Sequence, residues 1–293
     1  MKRITQLIKV FFIWLLMIDI ISFICLNIFS KTILNQSYIL SQLEEEKYYE
    51  NVYYQIQNSF EGYIGPSGLE ETILNGIYSK DKVKQDIINV VNYIYTGKNY
   101  EINTEEIQVN LSNNINESLL NYNLSEEEKK SIVQFEEEII NEYKKQITHS
   151  QYFDKLANYI PKIIENVLII KIAMGVIGFL IIGILFFINK KNFVKFMITI
   201  IISVLGSGLF LLFAKFWTTS KIEISNITIL SDSFSKVISN ILREILCKWN
   251  LYGIILSIVS IILLIIFNNL LYKDNINKKL SKNKKVLKKN GGK

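Results

Sequence analysis

Two cysteines, two prolines and one histidine among 293 residues exclude several kinds of protein at once. Two cysteines cannot build a disulfide framework or a four-cysteine zinc site, and a lone imidazole cannot serve a metal centre or proton relay that needs several. The short signatures of catalysis are missing too. There is no phosphate-cradling glycine-rich loop, no G-x-S-x-G elbow, no H-E-x-x-H helix and no kinase set. No enzymatic activity, catalytic residue, cofactor or metal ion is therefore expected. Charge is scarce as well: 20% of residues are charged against 49% apolar, which is oily for a chain that dissolves in water.

The apolar residues are concentrated. Four runs, 10–29, 167–188, 196–214 and 250–271, each approach the ~20 residues a helix needs to cross a bilayer. The first follows a charged start, Lys2-Arg3, but exceeds the ~7–15 apolar residues of a cleavable signal and has no small-x-small site after it. It reads as an uncleaved signal anchor. Trp217, Trp249 and Tyr272 sit at run ends, where interfacial aromatics are favoured. Orientation follows from lysine and arginine in short flanks. Lys2, Arg3 and Lys9 (1–9), Lys190, Lys191 and Lys195 (189–195) and nine lysines in the tail (272–293) belong on the cytoplasmic side. The segments 30–166 and 215–249 then face outward.

From Lys31 to Glu165 there are 22 acids and 12 bases, a balance of −10, in a chain whose total is +6. The basic excess lies in the flanks, where anionic lipid rather than nucleic acid is the nearer partner. The outer segment reads as helical, since its apolar residues recur at three- and four-residue steps. A stalk is expected to continue from the first span through 33–60. Ser67 to Glu70 looks like a capping box opening a short helix that ends at Asn75-Gly76. Further helices are expected from Asp81 to Gly97, from Thr104 to Tyr122, and from a second capping box, Ser125 to Glu128, through Ile147. A segment from Tyr152 to Ile160 leads through Pro161 into the second span. In the smaller outer segment, Phe234, Val237, Ile238, Ile241, Leu242, Ile245, Leu246 and Trp249 form one helical stripe. That helix is expected to lie in the membrane interface, with docking under the larger domain as the alternative. Ile222, Ile224, Ile227 and Ile229 before it give a weak extended signal.

Asp19, near the middle of the first span, costs ~2.5–3.5 kcal/mol there unless paired, protonated or wet. Ser203, Ser207, Ser257 and Ser260 fall at similar depth, so an intramembrane polar cluster is expected. Its functional reading is a proton or ion site and its plainer one a hydrogen bond between helices. Lys171 is a second partner to consider. Gly175, Gly178, Gly183 and Gly253 permit close helix approach. Fourteen of sixteen tyrosines lie in the larger outer segment. Tyr49, Tyr53 and Tyr63 are candidate partner contacts, with core packing as the plainer reading of the first two. Gly62, Gly65, Pro66 and Gly68 mark a corner or a recognition edge. The triplets 44–46, 126–128 and 136–138 read as solvated acidic faces, His149 as a surface residue, and Cys25 and Cys247 as thiols whose pairing is open. Lys278, Lys279, Lys284, Lys285, Lys288 and Lys289 are candidate contacts to anionic lipid.

No motif assigns a family. One span, a large outer domain and three more spans resemble, in topology alone, the mechanotransmitting ABC permeases of the cell-division and lipoprotein-export type. That resemblance implies stalks coupling a cytoplasmic ATPase to outer events; the short link 189–195 leaves little room for a coupling helix. The expected fold class is an all-α integral membrane protein, with four transmembrane helices and a helical extracytoplasmic domain between the first and second. The lysine-, isoleucine- and asparagine-rich composition suggests the plasma membrane of a low-GC bacterium. The expected function is non-enzymatic, with the acidic outer domain binding or sensing an extracytoplasmic or membrane protein. A permease or transporter component using Asp19 is the alternative.

Overall fold

Long apolar runs become helices because only a helix or a closed barrel satisfies every backbone N–H and C=O where lipid offers no partner. The computed structural model describes residues 2–148, 150–190, 192–224 and 231–290, and among them the protein is all-α with no β-strand. In chain order the α-helices are α1 (Lys2–Lys31), α2 (Gln36–Glu45), α3 (Tyr48–Ser67), α4 (Lys80–Thr96), α5 (Glu105–Ser118), α6 (Glu126–Thr148), α7 (Ser150–Ile188), α8 (Phe193–Lys221) and α9 (Asp232–Asn290). A short 3-10 helix, Glu71–Leu74, precedes α4. Four helical stretches, carried by α1, α7, α8 and α9, are long and apolar enough to cross a membrane. The chain divides into two compact units. Met1–Phe29, Val167–Ile224 and Leu242–Lys293 make an apolar unit, and Ser30–Asn166 with Ser225–Ile241 make a polar one.

In the polar unit α3 contacts α2, α4 and α6, and its stripe Val52, Ile56, Phe60 and Ile64 is buried. The expected stalk over 33–60 does not form. The chain breaks after α1, where the Asn35 side chain accepts from the Tyr38 N–H at 3.3 Å and caps α2. It breaks again at Lys47, which adopts a left-handed conformation with φ 52°. The physical reason is the stripe itself: burying each such side chain is worth roughly 1.5–3 kcal/mol, which a lone stalk forfeits. Val83, Ile87 and Val90 of α4, Ile107, Leu111 and Ile115 of α5, and Phe135, Ile139, Tyr143 and Ile147 of α6 complete the core.

Helix ends follow local chemistry. Ser125 and Glu128 form a reciprocal cap: the Ser125 N–H donates to Glu128 Oε2 at 2.7 Å and the Glu128 N–H to Ser125 Oγ at 3.3 Å. Ser67 does the opposite of what was expected. It lies in the last turn of α3, its hydroxyl donating to the Ile64 carbonyl at 2.7 Å, and Gly68 ends the helix with φ 70°. The following helix starts after Glu70. Ser79, not Asp81, caps α4 by accepting from the Lys82 N–H at 3.1 Å. α5 stops at Ser118 rather than reaching Tyr122.

Pro161 does not interrupt α7, which runs unbroken from Ser150 to Ile188. A proline inside a helix leaves the carbonyl four residues earlier without its N–H, here that of Ala157. Gly97, the left-handed cap of α4 (φ 67°), packs on that carbonyl: a Cβ there would lie 3.4 Å from Ala157 O and 3.5 Å from Pro161 Cγ.

The stripe of the smaller segment opens α9, a helix with no break where the fourth span was expected to start. Its first turns pack within the polar unit, as the docking alternative expects. The Phe234 ring centroid is 6.1 Å from that of Tyr48 and 6.3 Å from that of Phe153, and Gln55 Nε2 donates to Ser233 Oγ at 3.1 Å. Asn240 Nδ2 also donates to the Glu46 carboxylate. Val237 and Ile241 are buried. Of the weak extended signal, Ile227 and Ile229 lie outside the described residues.

The apolar unit has its own small core, in which Leu16 of α1, Ile181 and Leu185 of α7 and Phe196 of α8 pack together. At the crossing of α8 and α9 the backbones touch. A Cβ on Gly208 would lie 2.7 Å from Ser257 Oγ and 3.0 Å from the Gly253 carbonyl, and one on Gly253 3.0 Å from the Gly208 carbonyl. Gly178 meets α1 through the Asp19 side chain, whereas Gly175 and Gly183 meet nothing within 4 Å.

Candidate functional site

Between the end of α3, the 119–125 corner and the first half of α6 the polar unit carries an open groove of about 800 Å³. Three local choices make it. Gly68 turns the chain away at the end of α3, the early stop of α5 leaves Leu119 to Leu124 as a corner, and the Ser125–Glu128 cap fixes where α6 begins. The lining is of two kinds: Leu69, Leu119, Leu124, Ile132 and Phe135 are apolar, while Tyr63, Tyr122, Glu128 and Glu138 can recognise a polar partner. Tyr122 and neighbouring Leu120 are 68% and 77% exposed, a costly position for apolar side chains that face only water.

The electrostatics favour a positively charged visitor. Hydrogen bonds from the Ser125 N–H and hydroxyl hold the Glu128 carboxyl below its usual range. Burial and the adjacent Glu142 carboxylate raise the Tyr63 phenol, so it stays a neutral donor. Its hydroxyl donates to Glu142 Oε2 at 3.5 Å. Along α6, the ~1.5 Å rise per residue puts Glu128 roughly 30 Å from Thr148, where that helix ends.

Of the three tyrosines singled out as contacts, only Tyr63 lines this groove. Tyr49 is buried, and the Lys84 ammonium sits 5.3 Å from its ring centroid. Tyr53 packs against Tyr78 at 5.2 Å and lies under the Lys80 ammonium. Both make packing contacts, the plainer reading of the two, because the helix that carries them is a core helix and not a stalk. The groove's apolar residues escaped the sequence reading, although Gly62, Pro66 and Gly68 marked one edge of it. What pattern alone conceals is that Leu119 and Leu124 leave the helical register and turn toward Ile132 and Phe135.

In the apolar unit Ser203, Ser207, Ser257 and Ser260 are buried, yet none hydrogen-bonds Asp19. Ser207 Oγ reaches the Ser203 carbonyl at 2.9 Å and the Met17 carbonyl of α1 at 3.2 Å, and Ser203 Oγ reaches the Thr199 carbonyl at 3.3 Å. Ser257 Oγ is buried with no partner among the described residues. Asp19 instead lies over Gly178, whose Cβ would fall 2.6 Å from Oδ2. Cys25 and Cys247 are free thiols. Among the described residues no three His, Cys, Asp or Glu side chains group as metal ligands. The acidic triplets serve locally: Glu44 pairs with Lys84 at 2.7 Å and Glu126 with Lys129 at 2.8 Å. His149 lies outside the described residues, as do the side chains of Lys278, Lys279, Lys284, Lys285, Lys288 and Lys289 on α9.

No protein-family model matches the chain, and neither do the curated proteins or the solved structures.

Proposed function

We propose that this is a non-enzymatic multi-pass plasma-membrane protein whose polar unit stands outside the cell and binds a protein partner through the groove. Both termini and the 189–195 link are cytoplasmic in this reading, which rests on the lysine-rich short flanks. The observation that carries it is the groove, where half-buried Leu69, Leu119, Leu124 and Ile132 and exposed Tyr122 sit beside Tyr63, Glu128 and Glu138 in a segment of balance −10. Tyrosine and buried aliphatic contacts supply binding area, and opposite charge supplies steering. The fitting partner is therefore a polypeptide segment of mixed apolar and basic side chains. The lysine-rich tail adds contact to anionic lipid on the inner face.

The test is a photo-crosslinking residue at position 122 of the full chain in intact cells, with position 109, exposed but off the groove, as control. A discrete adduct from 122 alone, containing a basic apolar segment and lost on Leu124→Asp, is expected. Equal yield from both positions, or a tag at residue 100 inaccessible from outside intact cells, overturns the reading.

One observation favours a transporter component as a second reading: Asp19 has no hydrogen-bond or ion-pair partner among the described residues and contacts Gly178. A carboxylate at that depth is costly unless it takes a proton or ion. Solute flux unchanged by Asp19→Asn removes that reading.

A further inference from the structure

Twice within the polar unit an ammonium group is held by the same combination of side chains. Lys80 Nζ lies 4.8 Å from the Tyr54 ring centroid and 5.5 Å from that of Tyr53, and it donates to Glu50 at 2.9 Å. Lys84 Nζ lies 5.3 Å from the Tyr49 ring centroid and pairs with Glu44 at 2.7 Å. The physical reason is shared. The negative face of an aromatic ring attracts a cation, and a nearby carboxylate adds a full charge to the same point.

A third set of these side chains lines a separate cleft of about 580 Å³. Tyr93, Tyr100 and Phe153 supply three rings, Glu101 and Asp154 two carboxylates, and Val90 an apolar wall; among the described residues no lysine or arginine lines it. Two of the rings are pinned through their hydroxyls. Tyr93 Oη donates to Asp154 Oδ1 at 3.0 Å, and Tyr100 Oη donates to the buried Asp86 Oδ1 at 2.8 Å while accepting from Asn89 Nδ2 at 3.3 Å. Pinning of this kind lowers the ordering cost of binding. Glu101 is exposed and has no hydrogen-bond or ion-pair partner among the described residues, so its charge is available to a ligand. The cleft volume falls in the ~300–1,000 Å³ range of small-molecule sites.

We infer that this cleft binds a small alkylammonium compound, its cationic head among the Tyr93, Tyr100 and Phe153 rings and paired with Glu101 and Asp154. The inference is independent of the groove and of membrane orientation, since it rests on composition and geometry within the cleft.

The experiment uses the full chain in a maltoside detergent, which carries no ammonium head, with choline and its neutral isostere 3,3-dimethyl-1-butanol as probes. Binding is read by saturation-transfer NMR and calorimetry. Choline is expected to bind saturably with a Kd of about 1 mM or tighter, and the isostere about tenfold more weakly, a difference of ~1.4 kcal/mol. Glu101→Gln and Asp154→Asn should each weaken choline several-fold, while Glu50→Gln, at the internally occupied Lys80 site, leaves it unchanged. Both cleft side chains are exposed, and circular dichroism checks the fold of each variant. No saturable choline binding, equal affinity for the isostere, or binding indifferent to both cleft substitutions overturns the inference.

Discussion

Ile56, Ile107, Leu111 and Tyr143 are fully buried in the polar unit, whereas the residues buried as completely in the apolar unit include Ser203 and Ser207. There, Phe179 and Phe187 are 78% and 71% exposed. The two units thus differ in how much large apolar surface they leave exposed and in whether small polar residues fill the closest contacts. Water drives apolar surface inward in the first. Lipid tails exert no such drive, so helices in the second approach through small residues and close contact. Polar groups differ too. In the polar unit side chains satisfy one another, as Tyr143, Tyr100 and Lys82 do around Asp86 at 2.8, 2.8 and 2.6 Å. In the apolar unit hydroxyls turn to backbone carbonyls, as Ser203 and Ser207 do.

The comparison breaks most visibly at Asp86. Its carboxylate is 2% exposed and accepts from two phenols and an ammonium; burial, with Asp86 alongside, pushes the Tyr143 phenol far above its ordinary range, fixing it as a donor. Asp86→Ala leaves three donors with nothing to accept from them. Removing one member of a buried ion pair costs about 3–5 kcal/mol. Chemical unfolding of the full chain, followed by tyrosine fluorescence, should lose that much from the polar unit's transition while helices of the apolar unit keep their circular dichroism. Loss below about 1 kcal/mol would mean that Asp86 is not the organising acceptor.

How much of this was readable beforehand varies with the range of the interaction. The long apolar runs and the Ser125–Glu128 cap lie within one helix or one turn, and pattern reveals them. The helical stripe of Val83, Ile87, Val90 and Val91 shows which face of α4 is buried, since 3.6-residue periodicity is local. Asp86, three residues after Val83 and four before Val90, falls on that same face, but the pattern does not name its partners. Only Tyr100 and Tyr143, 14 and 57 residues away, make it a buried acceptor. Likewise the glycines that spacing singles out divide: Gly178 and Gly253 meet a neighbouring helix, Gly175 and Gly183 meet nothing within 4 Å, and Gly208, which faces Gly253, is not among them. Spacing identifies small residues but not the face they present. The groove is the extreme case, because its apolar floor is assembled from α3, the 119–125 corner and α6.

Gly208 sharpens the comparison from the other side. A β-branched residue there collides with Ser257 Oγ, the Gly253 carbonyl and Leu256 Cβ, the last two at 3.0 Å from the new Cβ. Backbone atoms cannot move aside as a flexible side chain can. Overpacking of this kind costs about 1–3 kcal/mol. Gly208→Val should lower the thermal midpoint of the detergent-solubilised chain, and Gly175→Val, with nothing within 4 Å, should leave it in place. If the two variants behave alike, close contact through small residues is not what joins α8 to α9.

The smallest effect concerns pH, and it should appear in the polar unit alone. Burial pushes the Glu142 carboxyl up, but hydrogen bonds from Gln146 Nε2 at 2.6 Å, Lys145 Nζ at 3.2 Å and Tyr63 outweigh it and hold the group below its ordinary range. A depressed carboxyl stabilises the folded state above the unfolded value of ~4.3, and that contribution fades as pH falls through the lower folded value. Lys145 is 75% exposed, so water screens the pair and the effect stays under about 1 kcal/mol. Unfolding midpoints taken between neutral pH and pH ~3 should drop less for Glu142→Gln than for the native chain, since the variant has no proton to gain at that position. The two proteins differ at this position alone, so the difference between the two curves isolates Glu142. Parallel curves would show that its hydrogen bonds do no more than offset its burial.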